Sequence, residues 1–473
     1  MLTGIISLAV YILMAILIYR KKLSALLALP MMAIALSIIG GVPPDDIVSE
    51  IIGKGSTKLS TAYTTTMFGS ILADLLNRLG IAKSIVKLVA EFSGENRFLL
   101  GLSLTLITAL LFSTLGGLGA VIMVGTIILP VLLSLGITNQ TAGALFLFGI
   151  SLGGMFNVVG WQLYMDVLNI PKEQIIGFVS NFSFVSLTII IIFLVIELRE
   201  KKNIIYALGS ALAVALAFLT MHYLKNNLFF HAASNEAAIS ALRKGSIQIF
   251  AIILGGLMVF AFYRQRYKRT NLPFIVYLTP FIALFLVLIF QWAFIPAFVA
   301  GIAYAVLSSW RTDSIKVLNQ SIIEGITTVV PVVVLMIGIG MLITAVQHPC
   351  FAQSITPLLQ NCVPKSSWQY IIGFTLLAPL ALYRGPLSIW GMGSGLVSLM
   401  QKAALLSGSA IMGMLMSVGQ IQGICDPTNT HNIWIANYLG TSTQSLLRKT
   451  LPYAWLAVVS GLSLACWLGY LNK

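Results

Sequence analysis

Charge is what this chain lacks most. Of its 473 residues only 9% are Asp, Glu, Lys or Arg, while 58% are hydrophobic. A water-soluble domain carries about 25% charged residues. A mean hydropathy of +0.96 leaves too little polar surface to clothe a soluble core of this size, so the solvent is lipid. Acidic residues are the scarcer sign, 14 against 28 Lys and Arg. In a soluble protein the resulting net charge of +14 would suggest nucleic acid, but no basic face interleaved with aromatics offers itself. Lys and Arg instead gather between apolar runs, as in cytoplasmic loops and at helix ends, and no nucleic-acid partner is expected.

Other absences narrow the function. The four cysteines (Cys350, Cys362, Cys425, Cys466) have no zinc-site spacing. Free thiols are expected, with Cys350 and Cys362 open to a disulfide if both face outside. There is no His-Glu-x-x-His run for an intramembrane metalloprotease. Asp45-Asp46 is a lone acidic pair beside Pro43-Pro44, not the aspartate cluster of a diphosphate-using enzyme. No phosphate-binding Gly-x-x-x-x-Gly-Lys-Ser/Thr loop supplies an ATP motor, and no filter sequence or charged ring suggests a channel. Neither an enzyme nor a cofactor is expected.

What is present is a long series of apolar segments, at about 2–19, 23–42, 60–90, 97–135, 139–166, 175–197, 204–223, 246–263, 273–290, 294–310, 325–346, 368–403, 408–438 and 449–471. Arg20-Lys21-Lys22 follows the first of them, the wrong order for a signal peptide. It reads as a first span with its N-terminus outside. Arg199-Glu200-Lys201-Lys202 and Arg264-Gln265-Arg266-Tyr267-Lys268-Arg269 also mark the inside, and Pro43 to Asp46 the outside.

Shifting the first six segments by about 271 residues brings them onto the last six. Ile51-Ile52 with Gly53 answers Ile322-Ile323 with Gly325. Gly101 answers Gly373, Gly149 and Gly153 answer Gly419 and Gly423, and Gln174 answers Gln444. A near-constant offset over some 200 residues marks an internal duplication. The first half starts outside and ends inside near Lys201, so it makes an odd number of crossings. The helix pair that follows goes out and returns, and the second half starts inside. The expected fold is therefore an all-α polytopic membrane protein of two inverted-topology repeats, residues 1–200 and 271–473, joined by a linker helix pair at 201–270. Six segments with an odd number of crossings imply one re-entrant element per half, with 53–88 and 325–365 as the candidates.

Chemistry is expected where the helices break. Segment 97–135 holds Ser113-Thr114-Leu115-Gly116-Gly117-Leu118-Gly119. Its counterpart holds Tyr383-Arg384-Gly385-Pro386-Leu387-Ser388, then Gly391, Gly393 and Gly395. Breaks near the bilayer midplane free backbone groups, so that half-helix N-termini favour an anion and unwound carbonyls favour Na⁺. Glycine packing between helices is the structural alternative. Arg384 is a charge deep inside a spanning segment, a functional position by default and a fork for a carboxylate. Cys425-Asp426-Pro427-Thr428-Asn429-Thr430-His431-Asn432 interrupts segment 408–438. Asp426, Thr428, Asn429 and Thr430 offer hard oxygen ligands to Na⁺ or H⁺ coupling, unless the stretch is simply a capped loop between helices. The matching stretch in the first half keeps Asn157, Gly160, Gln162 and Asp166. Thr61, Thr64, Thr65, Thr66 and Ser70 put hydroxyls along one hairpin, Thr65 among them as a substrate candidate. Asp74 and Arg78, four residues apart, read as an intrahelical ion pair.

Two inverted halves, paired hairpins and breaks at Ser113–Gly119 and Arg384–Gly395 resemble the ion transporter superfamily. The stretch Gly116-Gly117-Leu118-Gly119-Ala120-Val121-Ile122-Met123-Val124-Gly125-Thr126-Ile127-Ile128-Leu129-Pro130 is similar to its gluconate permease and citrate transporter branches. The resemblance implies a secondary transporter of a small organic anion, such as gluconate or citrate, coupled to H⁺ or Na⁺. It further implies an elevator-type mechanism and a homodimer in the bacterial inner membrane. The transport domain would comprise 53–88, 97–166, 325–365 and 368–438. The paired Ser-Asn-Thr hairpin tips of the dicarboxylate branch are not clearly present. Expected substrate contacts are Arg384, Gly385, Ser388, Ser113, Thr114, Gly116, Gly117, Asn157, Asn429 and Thr65, with Asp426, Thr428, Asn429 and Thr430 at the coupling ion. A Na⁺/H⁺ antiporter with Asp426 or Asp166 as its carboxylate is the alternative, against which the fixed cation Arg384 argues.

Overall fold

The computed structural model describes residues 2–20, 22–93, 96–198, 203–224, 236–267, 272–353, 363–364, 366–402 and 405–472. All regular structure among them is helical. The first half runs α1 (Leu2–Tyr19), α2 (Ala25–Ile39), a wound stretch from Pro44 to Thr57, α3 (Ser60–Arg78), α4 (Ile81–Ser93), α5 (Arg97–Phe112), α6 (Gly117–Ser134), α7 (Asn139–Met155), α8 (Val158–Leu168) and α9 (Lys172–Leu198). Two connecting helices follow, α10 (Asn203–Leu224) and α11 (Glu236–Arg266). The second half runs α12 (Thr279–Leu288), α13 (Phe294–Ser308), α14 (Ser314–Gln347), α15 (Ser367–Leu377), a tight turn of helix Ala378–Arg384, α16 (Gly393–Lys402), α17 (Gly408–Cys425), α18 (Thr430–Tyr438) and α19 (Thr443–Trp467).

Six of these helices (α6, α9, α10, α11, α14 and α19) are long and apolar enough to cross a bilayer. The pair α7–α8, bent by 52°, makes a seventh if it counts as one broken span. With the shorter apolar helices between them, the chain is an all-α polytopic membrane protein. The element order of the first half recurs in the second, and Lys172 and Thr443, which open α9 and α19, lie 271 residues apart. The repeat extends to the caps. Side chains of Asn96 and Thr138 accept the first free N–H groups of α5 and α7, and Ser366 and Ser407 do the same for α15 and α17. Such caps are worth about 1 kcal/mol each, and in lipid they also remove orphan donors that water cannot reach.

The chain folds into two compact units, and neither coincides with one half. The first comprises Met1–Tyr63, Gly160–Ile189 and Val330–Lys473; the second comprises Thr64–Val159 and Ile190–Val329. In the first unit, missing side chains let helices close up. A Cβ on Gly55 would lie 2.9 Å from the Met341 Cα, one on Gly338 2.9 Å from Pro30, and one on Gly413 2.7 Å from Ala465. In the second unit a Cβ on Gly149 would lie 2.6 Å from the Thr108 Cβ, and one on Gly153 would collide with the Ala109 carbonyl. There α5 and α7 touch backbone to backbone, as small residues allow in membranes. A Cβ on Gly325 would lie 2.9 Å from the Ile71 Cα, bringing α14 equally close to α3.

Polar bonds seal that last approach. Ser70 Oγ donates to the Gly325 carbonyl at 2.7 Å. Arg78 pairs with Asp74 at 2.5 Å, as the four-residue spacing suggests, but it also reaches Glu324 at 2.5 Å. The intrahelical pair is thus one arm of a bridge between α3 and α14.

The two expected hairpins differ. Residues 53–88 turn at Leu79-Gly80, where Gly80 takes a φ of 72°, a left-handed position that suits glycine. Residues 325–347, by contrast, belong to the unbroken 34-residue α14, roughly 51 Å long at 1.5 Å per residue. Pro331 lies inside it and does not interrupt it. A return strand of that hairpin would fall largely in 354–362, outside the described residues, as do Lys21, the cluster at 199–202, Lys268 and Arg269. Cys425 and Cys466 are free thiols; Cys362 lies outside the described residues, so the Cys350–Cys362 pairing falls there too.

Adjacent glycines of α7 supply a test of the close approach. Gly153→Ala is expected to destabilise by about 2 kcal/mol or more, because backbone must move to admit the methyl. Gly154→Ala, with nothing within 4 Å, is expected to leave stability unchanged. Melting of both variants in detergent, followed by size exclusion, checks the difference.

Candidate functional site

Two pairs of helix breaks recur along the chain, and in each pair a single side chain ties the two breaks together. In the second unit α5 ends at Phe112 and α6 restarts at Gly117, whose φ is 80°. Ser113 Oγ and Thr114 Oγ1 turn back to the carbonyls of Leu110 and Leu111, at 2.6 and 3.2 Å, and so satisfy acceptors of the last turn that the break has freed. The second break, at Phe156-Asn157, separates α7 from α8. Asn157 Nδ2 donates to the Phe112 and Leu115 carbonyls at 3.3 and 3.2 Å, while its Oδ1 accepts the Val159 N–H at 3.0 Å. One amide therefore closes the end of α5 and caps the start of α8. Gly149 and Gly153 bring α7 near enough for it to do so. Ser113 and Thr114 are buried, whereas Gly116 and Gly117 are exposed. Thr65 is fully buried and its Oγ1 has no hydrogen-bond partner among the described residues.

The first unit repeats the design with a carboxylate. After α15 the turn Ala378–Arg384 ends with Leu382 extended and Tyr383 at φ 58°, a position that costs a non-glycine residue about 1–2 kcal/mol. Asp426 holds it there. Its Oδ2 accepts the Tyr383 N–H at 2.8 Å. Its Oδ1 accepts the Thr428 N–H and hydroxyl at 2.8 and 2.6 Å. Asp426 is wholly buried, and its bonds join the turn after α15 to the link between α17 and α18. Gly385 is required at the next step, since a Cβ would collide with the Leu380 carbonyl. Ser388, also buried, donates to Gln422 Oε1 at 2.8 Å.

The last turn of α17 is closed by the residues that follow it. Asn429 Nδ2 donates to the Gln422 carbonyl at 2.7 Å. Asn432 Nδ2 donates to the carbonyls of Ile424 and Asp426 at 3.0 and 2.9 Å. A ring nitrogen of His431 lies 3.1 Å from the Gly423 carbonyl. The polar stretch 425–432 thus behaves in large part as the capped interruption that the sequence offered as its structural alternative. Thr430, which opens α18, is exposed. The backbone of Arg384 closes the tight turn, and its side chain lies outside the described residues.

The predicted residues therefore fall into two sets. Ser113, Thr114, Gly116, Gly117, Asn157 and Thr65 belong to the second unit; Arg384, Gly385, Ser388, Asp426, Thr428, Asn429 and Thr430 belong to the first. Sequence reasoning missed Tyr383, Gln422 and the clamping role of Asn432. The signal for Tyr383 was its place beside Arg384, two residues before Gly385-Pro386, in a broken helix; Gln422 carried none. A further carboxylate stands out in the first unit. Asp166 Oδ1 accepts Gln162 Nε2 at 2.7 Å, one turn away on α8, while its Oδ2 is buried without a hydrogen-bond partner among the described residues. The backbone of Ala62 lies beside it. Among the described residues no three His, Cys, Asp or Glu side chains gather as a metal site.

No protein-family model matches the chain, and no curated protein is similar to it. Among solved structures, the YdaH transporter of Alcanivorax borkumensis is similar over 88% of each chain, with 18% identity and a TM-score of 0.47, a likeness too loose to define a shared fold.

The clamp makes a directional prediction. Asp426→Asn must turn an NH₂ toward either Tyr383 N–H or the Thr428 donors, leaving one buried donor unmet at about 1–3 kcal/mol. Thr428→Val removes one hydroxyl bond and keeps the N–H bond, so its loss is expected to be smaller. Melting temperatures of the two variants in one detergent check the order.

Proposed function

We propose that the chain is a secondary active transporter of a small organic anion, a carboxylate such as gluconate or citrate. It would work by alternating access, with no catalytic step and no cofactor. The observation that carries this reading is the pair of clamped helix breaks recurring about 271 residues apart. Breaking a helix inside lipid is costly, since each unsatisfied backbone group costs several kcal/mol. Two breaks per half, tied together by one side chain, support a use for the interruption itself. The half-helices α6 and α16 begin at these breaks with their positive ends available to an anion. In this reading Arg384 offers its guanidinium to the substrate carboxylate, and Ser113, Thr114, Gly116, Gly117, Gly385, Ser388, Asn157 and Asn429 supply hydroxyl, amide and backbone contacts. The unpartnered hydroxyl of Thr65 suits a further polar contact. A coupling ion, H⁺ or Na⁺, would sit near Asp426, Thr428, Asn429 and Thr430.

The same reading takes residues 1–200 and 271–473 as inverted repeats joined by 201–270. It also takes the mechanism as elevator-like, the chain as a homodimer, and its place as the bacterial inner membrane with the N-terminus outside. A Na⁺/H⁺ antiporter is the second reading, and Asp166 favours it. That carboxylate has one buried oxygen without a hydrogen-bond partner among the described residues, whereas both oxygens of Asp426 are engaged.

Uptake into proteoliposomes of radiolabelled gluconate, citrate, succinate and lactate, under separately imposed Na⁺ and pH gradients, separates the two. Accumulation of one anion driven by one gradient is expected. Proton movement driven by Na⁺, with no anion uptake, would instead establish the antiporter. Arg384→Ala is expected to abolish anion uptake while expression and melting stay unchanged; near-normal affinity in this variant would remove Arg384 from the site.

A further inference from the structure

The end of α11 carries cations that the transport site does not use. Arg264 lies at the close of a membrane-spanning helix, yet it is only 4% exposed. Its Nε donates to the Trp310 carbonyl at 3.2 Å, and its guanidinium carbon lies 5.9 Å from the Phe260 ring centroid. Trp310 answers with its indole Nε1, which donates to Gln265 Oε1 at 3.3 Å. These two bonds pin the turn between α13 and α14 against the end of α11, within the second unit. Arg311 follows immediately. Its backbone N–H donates to Ser314 Oγ at 2.7 Å, but its side-chain Nε is buried and has no hydrogen-bond partner among the described residues. A buried donor on a charged group left unmet is expensive, and an anionic acceptor would relieve it. Arg266, next to Gln265, and Lys316, two residues after Ser314, are exposed, and Asp313 is the one acid of the turn. The local balance stays positive.

The neighbouring surface of α11 is apolar. Ile252, Val259 and Phe262 are 75%, 71% and 73% exposed. Spacings of seven and three residues put them along one stripe, and Arg266 continues it four residues further on. From Ile252 to Phe262 the stripe runs about 15 Å, the depth of one leaflet of a hydrocarbon core about 30 Å thick.

We propose that this corner of the second unit binds an anionic phospholipid, its phosphate received by Arg311 and Arg266 and its acyl chains lying along the Ile252–Phe262 stripe. The basic end of α11 is the strongest cytoplasmic mark in the sequence, so the lipid belongs to the cytoplasmic leaflet. Arg264 is a positioning residue that fixes Trp310 and hence Arg311. The proposal rests on the chain being a membrane protein and not on what it carries, so failure of the transport reading leaves it standing.

Native mass spectrometry of the full chain, released from detergent after titration with phosphatidylglycerol or phosphatidylcholine, tests it. The wild type is expected to retain phosphatidylglycerol about tenfold or more over phosphatidylcholine, in line with the attraction of basic residues for anionic headgroups. Arg311→Gln and the exposed Arg266→Gln are each expected to lose most of that preference, Arg311→Lys to keep part of it, and the exposed Lys87→Gln on α4 to keep all of it. Because Arg266 is exposed, its variant still reports if Arg311→Gln fails to fold. Equal retention of the two lipids by the wild type, or an unchanged preference in the Arg266 variant, overturns the proposal. So does full displacement of the lipid by soluble glycerol 3-phosphate, which would make the site one for a free phosphate.

Discussion

A polypeptide in hydrocarbon has no water to fall back on, so every backbone N–H and C=O must find a partner within the protein. The rest of this structure follows from how that demand is met where helices are interrupted. Asn157 gives both of its amide atoms to the ends of two different helices. Asp426 does the same with its two carboxylate oxygens. Remove either and donors or acceptors are stranded in lipid on both sides of a crossing.

Those clamps work only because the helices they join are very close. Gly149 and Gly153 let α7 meet α5 backbone to backbone, and Gly385 lets the chain double back on Leu380. Small residues and polar clamps are thus two parts of one device. The glycines set the distance, and a short side chain then spans both breaks. Packing between glycines and polar breaking of helices, which look like rival explanations of a glycine-rich segment, are here the same explanation.

The second half carries the costlier version. Tyr383 sits in the left-handed region, held by a buried carboxylate, and three side chains from the chain beyond (Asn429, His431 and Asn432) cover the open end of α17. Strain that persists only because its surroundings over-determine it is a mark of functional sites. Much of the polarity of 425–432 is spent on holding this geometry, which leaves hydroxyls, half-helix ends and nearby charged groups as the chemistry available to a ligand.

The sequence by itself determined the solvent, the helical class and the breaks at Ser113–Gly119, Asn157, Tyr383–Ser388 and Asp426. Each rests on local information: apolar runs of spanning length, glycines and prolines at fixed positions, and small polar cap residues where helices start, such as Asn96, Thr138, Ser366 and Ser407. It also marked Asn157 and Asp426, because polar residues in an apolar segment are conspicuous. It did not determine what those residues do. Whether a buried carboxylate holds an ion or a backbone N–H depends on which other segment lies against it, and Tyr383 is 43 residues from Asp426 in sequence. The reach of Arg78 to Glu324 and the seating of Trp310 against the end of α11 were likewise decided only by tertiary contact. Hydrogen bonds between segments distant in sequence leave no periodicity to read.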